Sequence, residues 1–318
     1  MKNIVVVLLL LAGTVVHAQT NVRFNINHKL GDQNFAFNSA SKNNLNDAFK
    51  LSRLEYYISK ISIIHDGGKE TKADAYLLVD AGASTDESIG SFNNIDSVEA
   101  IKFSVGVDPF ENNSDPSKWP ASHPLSPKSP SMHWGWQAGY RFVAMEGKAG
   151  DNLTTNFEFH ALGNQNYFDI SIPTAATKDG NDLVISLNAD YTEAIRNIAV
   201  SKGLIVHGDY DEAAYVLRNF QLYVFSSTTG ETNTLSAPSL NQALLGMYPN
   251  PTTSDVTIDL SAAGVSSGEV IVRNLLGQEV IRRSMTTSQT TIEVNQPGAY
   301  MVDVLTSAGR LTKKLVVQ

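Results

Sequence analysis

Val22-Arg23-Phe24-Asn25-Ile26 alternates apolar and polar residues one for one, and Lys60-Ile61-Ser62-Ile63 repeats the pattern. Successive side chains on a strand point to opposite faces, so such a run buries one face and wets the other. Outward from these two stretches, residues 35–37, 76–79, 100–105, 140–145, 156–160, 168–172, 183–187 and 220–225 form further short β-rich runs. Gly, Asn, Asp and Pro bound them. That spacing predicts an all-β fold, an antiparallel β-sandwich. One short helix is expected: Asn188 or Asp190 caps it, Tyr191, Ala194, Ile195, Ile198 and Ala199 form one stripe, and Gly203 ends it. Residues 108–131 carry six prolines and read as a long loop.

The two ends read differently from the middle. Lys2, an apolar run over residues 4–16 and the small residues of Val16-His17-Ala18 predict a signal peptide over residues 1–18, cleaved after Ala18. The run is shorter than the ~20 apolar residues a span requires, so no transmembrane segment is expected in the mature chain. Residues 19–226 form the expected first domain, and the Ser/Thr-rich residues 227–245 a linker. Residues 246–318 are then expected to be a small immunoglobulin-like β-sandwich. Its six basic and six acidic residues cancel, so the net charge of −8 belongs to the residues before it.

Composition removes whole classes of function. The 318 residues include no cysteine, which excludes a disulfide framework, an iron–sulfur cluster, a zinc finger and a cysteine nucleophile. The acidic balance argues against nucleic acid, which calls for a basic patch. GxSxG, HExxH, P-loop and dinucleotide-binding patterns are absent, so no enzyme is expected. Asp108, Glu111 and Asp115 lie close together without the spacing of a calcium loop and read as surface acidity.

Chemistry is left to imidazoles. His65 sits in a hairpin-like turn, and His28 and His207 have no supporting neighbours in sequence, His207-Gly208 reading as a strand end. His123 and His133 flank the proline-rich stretch. His133 opens His133-Trp134-Gly135-Trp136, and His160 ends Phe157-Glu158-Phe159-His160, pointing away from the two phenylalanines. Neutral imidazoles on facing strands suit copper, zinc or nickel. The plainer alternative makes Trp134, Trp136 and Tyr140 core anchors, with His160 merely hydrogen-bonded.

Two resemblances bear on this choice. Tyr248-Pro249-Asn250-Pro251, Asn274-Leu275-Leu276-Gly277-Gln278, Pro297-Gly298-Ala299-Tyr300 and the terminal Lys313-Lys314-Leu315-Val316-Val317-Gln318 resemble, in order, the C-terminal sorting domain of the type IX secretion system of Bacteroidota. This implies passage to the cell surface or medium with the type IX secretion machinery as partner, usually with loss of the domain. Residues 54–61, 101–107, His123-Pro124-Leu125, residues 132–142 (MHWGWQAGYRF) and Phe159-His160 resemble the MbnP-like copper-binding domain, which includes the MopE type.

The resemblance implies a secreted copper-binding protein using histidine ligands. It also implies a kynurenine, made from a tryptophan by a partner dihaem oxidase. His160 matches the histidine of the family's FHLG strand, and Trp134 and Trp136 match its two tryptophans. A further family histidine falls near Phe110-Glu111-Asn112-Asn113, where this chain has asparagine, and the cysteine that follows FHLG in many members is missing. His133 or His123 is then expected to complete the metal set. The competing reading is a surface adhesion module, with Trp119, Trp134 and Trp136 stacking on sugar or protein. Interior tryptophans beside converging histidines favour metal, and an exposed aromatic platform favours adhesion.

Overall fold

A computed structural model describes residues 19–229, 245–261, 267–274, 278–306 and 309–318. The expected signal peptide, and residues 230–244 of the expected linker, lie outside the described residues.

The alternating stretch at the N-terminus becomes β1 (Thr20–Leu30), with Val22, Phe24 and Ile26 buried and Arg23, Asn25 and Asn27 half-buried. It pairs antiparallel with β3 (Thr85–Phe92) and parallel with β8 (Asp182–Asp190), at the centre of a six-stranded sheet. The second, nine-stranded sheet is built on the 18-residue β2 (Ala48–His65). Its main path runs β7 (Asp169–Pro173), β4 (Val98–Val105), β2, β5 (Val143–Ala149), β6 (Thr155–Ala161) and β9 (Ile205–Gly208). The sheets face each other through rings such as Phe24 and Phe103, whose centroids lie 5.7 Å apart. Burying each such side chain contributes about 1.5–3 kcal/mol.

The all-β sandwich is as expected, but the pairing is not purely antiparallel. Both β1–β8 and β6–β9 are parallel, joined by long crossovers. Such pairs need crossover connections of a dozen or more residues, which turn signals do not mark.

The one longer helix also stands elsewhere. Residues 191–203 make two separate 3₁₀ turns, Glu193–Ile195 and Val200–Lys202. Arg196 turns to ψ 131° and Asn197 takes φ +62°, which breaks the stripe read as a helix face. Gly203 still closes the second turn in a left-handed conformation. The helix is α2 (Asp211–Asn219), after the four-residue α1 (Pro109–Asn112). A wide π turn, Phe220–Val224, continues α2 where a strand was expected, and only Phe225–Ser227 is extended. Phe35 and Phe37 likewise leave the strand and pack edge-on against each other, and Phe35 also edge-on against Tyr191.

β2 is covered on both faces. Tyr56 points into the sandwich, its ring centroid 5.0 Å from that of Phe220. Tyr57 points out, beneath the long segment between β4 and β5, its ring 5.3 Å from Tyr140. This segment is ordered by its own side chains: Asp108 caps α1, Asp115 caps the turn Pro116–Lys118, and Glu111 pairs with Lys118 at 2.5 Å. The three carboxylates read as surface acidity thus have local partners.

The described residues between 245 and 318 form a separate small sandwich of a three- and a four-stranded sheet around Val256, Ile258, Val270, Val272, Val302, Val304, Leu311 and Leu315. It meets the first unit at Arg218 of α2. The Arg218 Nε lies 3.8 Å from Glu269, and its Nη2 donates to the Leu305 carbonyl at 3.3 Å.

Candidate metal centre

Strand alternation and register build the candidate site. On β6, Phe157 and Phe159 face the core, so Glu158 and His160 face outward. Glu158 sits opposite Glu146 of β5 and Ile205 of β9, while His160 sits opposite Ala144 and His207. One strand further, Arg53 and Glu55 of β2 oppose Glu146 and Ala144. Four adjacent strands therefore present two rows on one outer face, Arg53–Glu146–Glu158–Ile205 and Glu55–Ala144–His160–His207.

The two imidazoles stack, with centroids 4.0 Å apart and planes 18° from parallel. One ligand atom each from Glu158, His160 and His207 lies within 4.8 Å of the others. No other such trio of His, Asp or Glu occurs among the described residues. An ion bound about 2.0–2.2 Å from each atom requires the stacked rings to turn out of parallel, because an imidazole lone pair lies in its ring plane. His207 Nε2 lies 3.2 Å from Glu158 Oε2, and His160 Nε2 lies 2.9 Å from Glu146 Oε1. The other ring nitrogen of His160, Nδ1, is buried and has no hydrogen-bond partner. Burial holds the His160 imidazole below its usual pKa, with Arg141 and His207 acting the same way against the hydrogen bond to Glu146. The neutral ring is the form that ligates a metal. Burial pushes the Glu146 carboxyl upward, but hydrogen bonds from His160 and Arg53 outweigh it and leave it below the usual range.

The segment before β5 covers this face. Trp134 N donates to Gly139 O and Gly139 N to Gly135 O, at 2.8 Å each, which folds residues 134–139 into a compact turn. The Trp134 ring thereby stands 5.5 Å from His207 and 6.4 Å from His160, edge to face with both. The Arg141 guanidinium lies over it at 5.3 Å. The buried Met132 sulfur accepts from Arg53 Nη2 at 3.4 Å, while Met145 faces the core.

The residues expected to form a metal set are distributed as follows. His160 is in the trio. His133 is not: its ring packs edge-on against Tyr140 at 4.8 Å, its Nδ1 accepts from Gly135 N, and its Nε2 is buried without a partner. His123 stacks on Trp119 at 3.9 Å and accepts from Leu125 N. Trp134 is 43% exposed and Trp136 65%, so neither is a core anchor, and only Trp134 meets the imidazoles. The asparagine standing where the resemblance places a family histidine is structural. Asn112 is buried, its Oδ1 accepts from Tyr140 N at 2.7 Å and its Nδ2 donates to Asn164 at 2.9 Å.

Sequence reasoning passed over His207 and Glu158. Glu158 carried a signal, since Glu-x-His on a strand places both side chains on one face. His207 carried none, because a parallel partner 47 residues away in the chain leaves no local pattern.

Comparison with known proteins follows the same division of the chain. The MbnP family model matches residues 19–212, and the model of the secretion system C-terminal sorting domain matches residues 246–318. Among curated proteins none matches the sequence. Among solved structures, MbnP from Methylosinus trichosporium aligns at 18% identity over 60% of this chain and 81% of its own, with a TM-score of 0.44. The BSP domain of a biofilm associated protein aligns at 8% identity over 94% of this chain and 51% of its own, with a TM-score of 0.21.

Proposed function

The chain belongs to the MbnP family and ends in a type IX sorting domain that marks it as secreted or held at the cell surface, and from this premise we propose that it captures copper there without catalysing a reaction. The convergence of His160, His207 and Glu158 carries the reading. Two imidazoles and a carboxylate form a borderline-to-hard donor set, and sites of this kind hold divalent copper more tightly than the other first-row divalent ions. The buried, unpartnered Nδ1 of His160 is a lone pair that an ion satisfies.

If a tryptophan is oxidised to kynurenine, as the resemblance implies, the residue is Trp134 rather than Trp136, because only Trp134 meets the imidazoles. Its 43% exposure leaves the ring open to an external dihaem oxidase. Release or surface attachment after removal of residues 246–318 belongs to the same reading. The exposure of Trp136 favours the adhesion alternative, but one face of Trp134 is taken by Arg141, which leaves a poor stacking platform.

The test is metal analysis with intact-mass measurement on mature chain, purified from the native and from a heterologous host. One copper per chain is expected, lost in His160→Ala and His207→Ala and kept in His123→Ala and His133→Ala. No stoichiometric copper from either host, with tryptophans of unmodified mass, rejects the proposal. Copper in the native-host protein alone assigns binding to the tryptophan modification.

A further inference from the structure

His160 has two ring nitrogens with different fates. Its side chain is 7% exposed, and Nε2 stands 2.9 Å from Glu146 Oε1. An ionised carboxylate only accepts, so the proton of the neutral ring is on Nε2. Nδ1 is then a bare acceptor, and it is the atom that is buried with no partner. Leaving such an atom unsatisfied costs about 1–3 kcal/mol.

Glu146 is itself fixed. Arg53 Nη1 donates to the same Oε1 at 2.9 Å, while Arg53 Nε donates to Glu55 Oε2 at 2.6 Å and Nη2 to the Met132 sulfur. The carboxylate is thus clamped from β2 and the covering segment before it reaches the imidazole. It stands on a strand that contributes no member of the trio, and its contact with the trio is the one to His160 Nε2.

We infer that Glu146 is a positioning residue: it holds His160 in the Nε2-protonated tautomer and so makes Nδ1 the metal-binding atom. The inference rests on the copper reading above for the ion, but the tautomer belongs to the metal-free chain. Metal-ligating histidines commonly donate their second N–H to a carboxylate, and losing that partner typically weakens binding 10–100-fold.

The experiment uses mature chain in three forms, wild type, Glu146→Gln and Glu146→Ala, each checked for native folding by near-ultraviolet circular dichroism. Long-range ¹H–¹⁵N spectra of the metal-free proteins read the His160 tautomer, and equilibrium dialysis against Cu²⁺ reads affinity. The wild-type ring is expected as the Nε2–H tautomer. Glu146→Ala is expected to populate both tautomers and to bind Cu²⁺ about 10–100-fold more weakly. Glu146→Gln, whose amide oxygen still accepts, is expected to lose less. Wild-type His160 protonated on Nδ1, or a tautomer and affinity unchanged in both variants, overturns the inference. A wild-type chain with the Nε2–H tautomer that takes up no copper rejects the copper reading and leaves the assignment of the proton standing.

Discussion

Gly139 and Asn112 fix how the covering segment closes over the imidazole face. Gly139 has φ +73°, and a Cβ there would stand 2.6 Å from Asn112 Cγ. The asparagine cannot yield, because it bonds both Tyr140 N and Asn164. Gly139→Ala is therefore expected to cost about 1–3 kcal/mol through backbone strain and the displaced asparagine. Urea unfolding checks this, and an unchanged midpoint would show that the turn has slack. His28 offers a pH-dependent case. Its Nδ1 lies 2.6 Å from the Tyr191 hydroxyl and its Nε2 3.0 Å from Thr85 Oγ1, and burial holds its pKa below the usual value despite Asp80 and the Ala83 carbonyl. The unfolded chain, with histidine near pKa 6.5, takes up the proton first. The stability from a neutral His28 is thus complete above about pH 6.5 and is lost as pH falls toward the lower folded pKa. Urea midpoints of His28→Gln should fall less between pH 7 and pH 5 than those of wild type.

Among elements, most strands were legible and the helix was not, for the same reason. Alternation needs only local sequence, and β1 and β6 present the faces that their period demands. Residues 191–199 also carry a helical stripe, but the stripe is buried as turns because Asn197 goes left-handed. The true helix had its own marks, with Asp211 and Glu212 in the first turn and Ala213, Val216 and Leu217 buried. Its continuation through Phe220 is what the β-rich composition of residues 220–225 concealed. Of the site, the outward facing of His160 could be read from sequence, and the resemblance pointed to the pair Trp134 and Trp136 without choosing between them; the contact of Trp134 with both imidazoles is made by the fold. The partnership with His207 could not be read, since it is made by the parallel β6–β9 pairing across a crossover. Phe220 is fully buried against Tyr56, Tyr191 and Phe225, so Phe220→Ala should cost about 3–5 kcal/mol. A loss well below this in chemical denaturation would mean that the π turn collapses into the cavity.

At the scale of the whole molecule, the two units share a cluster of charges that is severed if the sorting domain is removed. Glu269 receives Arg282 at 2.8 Å and faces Arg218 at 3.8 Å, while Arg218 also stacks on Phe168 at 4.8 Å and Arg282 lies over Tyr215 at 5.7 Å. Arg218 and Tyr215 belong to α2, which packs against β6 and β9, the strands that carry Glu158, His160 and His207. A route from the sorting domain to the candidate site therefore exists through one helix. The route carries little, however, because removing the sorting domain takes Glu269 away together with what buries it. Arg218, buried in the full chain, then regains water in place of its partner, and no charge is left buried and unpaired. Arg53, Glu146, Glu158, His160 and His207 and the covering Trp134 all precede residue 246 and keep every contact described for them. Residues 19–245 alone are accordingly expected to bind Cu²⁺ within about threefold of the affinity of residues 19–318, a difference under 0.7 kcal/mol. Parallel dialysis of the two chains decides the point: a loss of tenfold or more on truncation would mean that the sorting domain holds α2, and through it the two histidine strands, in the binding arrangement.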